Sequence, residues 1–275
     1  MNVENIKFGL NHMVCPSLSP MQLLDAAKDL GVAAVELRND VGSNSISDVA
    51  IAREVAEKAA DLGLEVRSVN ALYPFNIWNA EREVHAHKLA ELARACGATG
   101  LVMCPLNEGR FVEDTPEKAE ELRTALATLR DILVSHGLKG FVEPLGFPVS
   151  SLRFKSEALA AIDDVEGRDV LTLVHDTFHH TGAGEEKLYA SRTGLVHISG
   201  LEDAEISFAD MLDEHRVLVG PRDRLGNIAQ LRALYADGYD GVVSFEPFAK
   251  EVQRQADPIA AVKSSMAYVR NALAH

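Results

Sequence analysis

The sequence predicts a closed (β/α)8 TIM barrel, an α/β fold built as one domain over residues 1–275. Three observations carry that expectation. Short apolar runs alternate with longer amphipathic stretches along the chain, as parallel strands joined by helices require. Eight such pairs fit into 275 residues, the number that closes a barrel. The junctions also repeat. Asp29-Leu30-Gly31, Asp61-Leu62-Gly63, Ala95-Cys96-Gly97, Ser135-His136-Gly137 and Ala236-Asp237-Gly238 each end a helical stretch on glycine and lead into an apolar run. Glycine permits the left-handed conformation that stops a helix and turns the chain toward a strand. An open doubly wound sheet is the competing arrangement, but no Gly-rich dinucleotide loop follows the first strand.

Residues 7–13 read as the first strand. Ser19 before Pro20 starts a helix over 21–30. A second strand over 33–37 carries Glu36, and a helix over 47–62 has Ser47 as its N-cap. The third strand, 64–69, leads to Asn70, and a helix follows over 80–96. Residues 100–104 form the fourth strand. Thr115-Pro116-Glu117 opens a long helix through 135. The fifth strand, 140–143, ends on Glu143 and is followed by a helix over 156–162. The sixth, 171–176, ends on Asp176, with a short helix expected over 185–190. The seventh ends on His197, and a long polar segment spans 199–224. A helix over 226–236 precedes the eighth strand, which ends on Glu246. Asp257-Pro258 opens the last helix.

Composition narrows the function. An apolar fraction of 47% and a charged fraction of 25% are those of an ordinary soluble globular chain. The formal charge of −14 argues against a nucleic-acid surface, which needs a basic footprint. No apolar run is long enough to span a membrane, and Met1 to Phe8 lacks the apolar core of a signal peptide. Cys15, Cys96 and Cys104 form no metal-like pair, so reduced thiols in a cytoplasm are expected. A small neutral substrate fits this balance, and a homo-oligomer is left open.

The site is expected at the C-terminal ends of the strands. Glu143, Asp176, His197 and Glu246 end strands five to eight and converge if those strands are neighbours. Three carboxylates crowded around an imidazole repel one another unless a cation lies among them. They are also the ligand types a divalent ion takes. One such group alone is as readily a helix cap or an ion pair. Pro144 and Pro247 directly after the two glutamates hold them extended. Asn11, His12, Glu36, Asn70 and Cys104 end the earlier strands, and His12, Glu36 and Asn70 are candidate substrate contacts. Glu36 and Asn70 serve equally well as caps of the loops that follow. Cys104 has no neighbour that would make it a nucleophile. His175 alternates with Asp176 and is expected to face the helices. His179 is placed in a loop over the barrel mouth, His180 in solvent, and His85 and His87 on a surface helix.

These residues resemble the xylose-isomerase-like superfamily of sugar isomerases and epimerases, and within it the keto-inositol isomerases. The resemblance covers nearly the whole chain. It is most specific in Val69-Asn70-Ala71-Leu72, Val142-Glu143-Pro144-Leu145-Gly146-Phe147-Pro148, Asp176-Thr177-Phe178-His179, Asp213-Glu214-His215-Arg216-Val217 and Ser244-Phe245-Glu246. It implies one divalent ion, Mn2+ or Zn2+ before Mg2+ or Co2+, held by Glu143, Asp176, His197 and Glu246. It also implies substrate contacts from His179 and Arg216. One departure stands out: the family often has an acidic residue soon after the strand-seven histidine, and this chain has Ser199-Gly200.

The implied activity is conversion of 2-keto-myo-inositol to 1-keto-D-chiro-inositol in inositol catabolism, with a polyhydroxy ketone as substrate. An ion can polarise the carbonyl, and Glu143 and Glu246 can move a proton through a cis-enediolate. A ketose 3-epimerase, a hydroxypyruvate-type sugar isomerase, an inosose dehydratase and a non-catalytic sugar-binding protein remain open. An apurinic endonuclease of the same superfamily needs further histidines where Asn70 and Cys104 stand.

Overall fold

The computed structural model describes residues 3–110, 113 and 115–275. Among them, eight parallel strands close into a barrel in chain order. They are β1 (Lys7–Asn11), β2 (Ala34–Arg38), β3 (Glu65–Leu72), β4 (Gly100–Met103), β5 (Lys139–Val142), β6 (Leu171–Asp176), β7 (Thr193–Ile198) and β8 (Val242–Phe245). The ring closes where β8 pairs with β1, Val242 opposite Lys7. Around it lie α1 (Pro20–Leu30), α2 (Val49–Leu62), α3 (Ala80–Ala95), α4 (Pro116–His136) and α5 (Lys155–Asp164). The second half adds α6 (Thr177–Ala183), α7 (Asn227–Ala236), α8 (Lys250–Gln253) and α9 (Pro258–Ala274).

Local chemistry sets these boundaries. Ser19 and Gln22 form a reciprocal capping box at the start of α1, with Pro20 in the first turn. Leu23, Leu24, Ala27 and Leu30 then bury one face of that helix. The repeated glycines do what the sequence requires of them: Gly31, Gly63 and Gly137 end helices at φ of 71°, 68° and 70°. Strands such as β2 and β4 are buried along their whole length, because helices cover one face and the barrel interior the other. Inside the barrel, Val102, Phe141, Val174, Leu195 and Val242 pack together, and the Arg67 guanidinium stacks 4.8 Å from the Phe141 ring centre. The barrel is thus a packed core, with Glu143, Asp176, His197 and Glu246 gathered at the C-terminal ends of its strands.

Several expectations change. β1 stops at Asn11, whose side chain accepts from Met13 N and turns His12 into a short 3-10 segment. The cap of α2 is Asp48 rather than Ser47, accepting from the amides of Ala50 and Ile51. A helix, α6, stands where a loop was expected, because Asp176 accepts from the amides of Phe178 and His179. The helix expected over 185–190 does not form. Glu185 instead accepts from the amides of Lys155 and Ser156 at the start of α5. No helix of the described residues is long and apolar enough to cross a membrane.

Two glycine substitutions should separate backbone strain from crowding. A Cβ at Gly137 meets nothing within 4 Å, so Gly137→Ala brings only the left-handed φ of 70°. It should cost about 1–2 kcal/mol. A Cβ at Gly100 would strike the Lys139 carbonyl of the neighbouring strand and the Phe141 ring. Urea denaturation should therefore rank Gly100→Ala as the less stable variant.

Candidate metal centre

Strand register brings the ionisable groups to one level. Asp176 lies opposite His197, and His197 lies opposite Ser244, two residues before Glu246. One donor atom from each of Glu143, Asp176, His197 and Glu246 lies within 4.8 Å of the others, and all four residues are buried. His197 Nδ1 is the hub. It stands 2.9 Å from Glu143 Oε1, 3.1 Å from Glu246 Oε2 and 4.0 Å from Asp176 Oδ2.

The opposite ring nitrogen, Nε2, lies 3.1 Å from both oxygens of Glu36. Burial alone would keep His197 neutral, but Glu246, Glu36 and Glu143 outweigh it and push the imidazole well above the ordinary histidine range. Burial likewise opposes ionisation of Glu36, and the charge and hydrogen bond of His197 hold it below the usual carboxylate range.

Two arginines compensate the remaining charge. Arg216 donates to Asp176 Oδ2 at 2.5 Å and to Glu246 Oε2 at 3.0 Å. Arg38 grips Asp40 through two 2.7 Å bonds and reaches Glu246 Oε1 at 2.9 Å. Both guanidiniums stack on Phe248, at 5.3 Å for Arg38 and 4.7 Å for Arg216. Asn11 adds a further donor to Glu246 Oε1 at 3.1 Å. Burial raises the cost of the Glu246 charge, yet His197, Arg216 and Arg38 together hold its carboxyl far below the ordinary range. The surroundings of Glu143 are poorer. Its Oε2 accepts from the Cys104 thiol at 3.3 Å. Burial, reinforced by Glu143, pushes that thiol well above its usual range and keeps it a donor.

A cavity of about 290 Å³ opens above these groups. Of the residues expected to touch substrate, the structure brings Asn70, His179 and Arg216 to its wall, together with Glu143 and Glu246. Glu36 and His12 are not brought there. Glu36 is fully buried behind His197, where Ser68 Oγ donates to it at 2.6 Å. His12 is also fully buried and pairs its Nε2 with the Leu18 carbonyl at 2.8 Å, because the chain turns away after Asn11. His179 sits on α6 rather than in a loop, and its Nδ1 is buried with no partner among the described residues. His180 packs against Lys155 Nζ at 2.7 Å instead of standing in solvent. His175 turns outward, between Lys155 and Gln230.

Sequence reading missed Arg38, Tyr73, Asn107 and Phe248, which also line the cavity. Arg38 had one signal: it stands two residues after Glu36 on one strand, hence on the same face.

The donors fit one ion. Ligands around a first-row ion sit about 2.0–2.2 Å from it, so up to about 4.4 Å apart. The observed 4.8 Å limit needs shifts of only a few tenths of an ångström, about 0.2 Å per ligand on the same geometry. Three carboxylates and one imidazole suit Zn2+, Mn2+, Co2+ or Mg2+.

The chain and its fold have known relatives. The chain belongs to the family described as xylose isomerase-like TIM barrel, whose pattern it matches over residues 24–272. A xylose isomerase domain containing protein from Salmonella typhimurium is 32% identical, with complete coverage of both chains and a TM-score of 0.89. The IOLI protein, solved with a bound zinc atom, is 23% identical over 97% of this chain and 98% of that one, at a TM-score of 0.83. A D-psicose 3-epimerase from Clostridium cellulolyticum shares the fold at 13% identity and a TM-score of 0.75, over 98% and 99% of the two chains. No curated protein sequence matches significantly.

Zinc binding should be coupled to protons. A His197 pushed above its ordinary range carries a proton at neutral pH, and an ion at Nδ1 must displace it. Affinity should therefore fall as the pH falls. Calorimetry in two buffers of different ionisation enthalpy should show proton release, with roughly one ion bound per chain. Proton-neutral binding would contradict ligation through Nδ1.

Proposed function

We propose that the chain is a metal-dependent isomerase that converts 2-keto-myo-inositol to 1-keto-D-chiro-inositol, a cytoplasmic step of inositol catabolism. The observation that carries this reading is the buried ring of Glu143, Asp176, His197 and Glu246, two of which, Glu143 and Glu246, line a cavity. Membership of the xylose isomerase-like family and the fold shared with the IOLI protein support it. When bound, the ion polarises the ketone and acidifies the adjacent C–H.

The remaining chemistry falls to this chain's side chains. Glu143 and Glu246 are the groups that can move the proton, and their surroundings divide the work. Glu246 receives Asn11 and Arg38 on one oxygen and Arg216 and His197 on the other. A carboxylate so fully compensated is a weak base. Glu143 has one oxygen that accepts from a thiol, a weak donor, so it is the better proton acceptor. Moving a ketone to the next carbon through a cis-enediolate needs one base on one face, whereas inversion needs a base on each face. The inequality of the two glutamates therefore favours isomerisation over a ketose 3-epimerase. His179 Nδ1, buried and unpartnered among the described residues, is assigned to a substrate hydroxyl. Arg216 holds Asp176 and Glu246 and stands in the wall of the cavity, where it is assigned to substrate.

Incubation with 2-keto-myo-inositol, with and without a strong chelator, is the direct test. Product should form only without chelator, and product made in deuterium oxide should carry solvent deuterium. Glu143→Gln should lower both turnover and deuterium exchange by roughly 10²–10⁴, the usual share of a general base. Glu246→Gln with saturating metal should keep more of the exchange. Full activity in chelator would reject the metal dependence; product free of solvent deuterium over many turnovers, once complete internal return is excluded, would reject proton transfer.

A further inference from the structure

An imidazole can serve as a ligand only if its lone pair faces the other donors. His197 can rotate about its Cβ–Cγ bond, so its ring needs an external reference. The residues that follow it on its own strand end, Ser199-Gly200, carry no carboxylate to serve as one. The reference comes from across the barrel. Glu36, 161 residues away in sequence, lies 3.1 Å from His197 Nε2 through both carboxylate oxygens.

We propose that Glu36 is the positioning residue of the centre, accepting the Nε2–H of His197 and so aiming Nδ1 at Glu143, Asp176 and Glu246. This rests on the metal-centre reading above. Glu36 is fully buried and absent from the cavity wall, so it is no substrate contact. Its own orientation is fixed by Ser68 Oγ at 2.6 Å, Asn11 Nδ2 at 3.3 Å and Asn70 Nδ2 at 3.4 Å. A fully buried carboxylate is costly, and a carboxylate supplied with four donors is one whose geometry is set. Such a partner fixes the tautomer of a ligating histidine and strengthens its donor nitrogen. Two residues on, Arg38 does for Glu246 what Glu36 does for His197. Strand β2 gives no ligand and supports two of them.

Zinc alone is the probe, measured in competition with a chromophoric chelator and without substrate. Glu36→Gln, nearly the same size, should bind zinc about 10–100-fold more weakly. A double-mutant cycle identifies the route. If Glu36 acts through His197, the Glu36→Gln/His197→Ala protein should bind no more weakly than His197→Ala alone; independent, multiplied losses overturn the proposal. Nitrogen NMR of the zinc-loaded wild-type ring needs no variant. It should show a protonated Nε2 and an unprotonated, zinc-bound Nδ1, and the opposite tautomer overturns the proposal even if Glu36→Gln fails to fold. The two readings fail differently. Wild-type protein that binds no zinc rejects the centre and this role together. Equal zinc affinity of wild type and Glu36→Gln rejects the role of Glu36 alone.

Discussion

Crowding of like charge at one point governs the rim of this barrel. Glu143, Asp176 and Glu246 approach one imidazole nitrogen, and Glu36 closes on the other. Two like charges about 4 Å apart cost about 4 kcal/mol at an effective dielectric near 20. Such a cluster survives folding only with compensating cations held at fixed positions. The chain supplies two arginines, each also held by a carboxylate outside the cluster, Asp40 for Arg38 and Asp213 for Arg216. Phe248 keeps both guanidiniums against one ring. The cluster is thus arranged around a place for positive charge before any ligand arrives.

Such precision needs a stiff frame, and the frame extends beyond the rim. Behind β6, Lys155 Nζ lies 3.1 Å from His175 Nδ1 and 2.7 Å from His180 Nδ1. Burial lowers its ammonium to about 8, with Glu185 and Asp176 opposing the shift. His175 continues to Gln230, and Asn227 on the same helix, α7, holds Thr177 and the Ser199 carbonyl. Ser199 Oγ in turn accepts from Arg216 Nε at 3.1 Å. A polar network therefore ties α5, β6, α6 and α7 to the Arg216 guanidinium. The cost of burying so many polar groups is offset because each finds a partner.

Most of the fold was legible because it depends on local rules: apolar runs, caps and stop glycines. The ligand ring was legible for a related reason, since a strand's end and its neighbours follow from topology. What stayed hidden depends on which way a rim residue faces after closure. Glu36 and His12 both end early strands, yet one lies behind His197 and the other bonds the Leu18 carbonyl. Arg38 was overlooked because the sequence places the end of its strand one residue earlier, at Leu37. Ring closure, rather than any local pattern, makes residues 38 and 246 neighbours.

Asp176 shows why a short motif can carry so much. Its Oδ1 accepts from the amides of Phe178 and His179 at 2.8 and 2.9 Å, so it caps α6. Its Oδ2 faces Arg216 and the imidazole hub. One carboxylate thus starts a helix with one oxygen and joins the charged centre with the other. The helix it nucleates fixes where His179, its third residue, must stand. An Asp-x-x-His spacing is then a geometric consequence. The residue that offers charge to the centre also builds the backbone that brings the histidine to the cavity, so neither can move without the other.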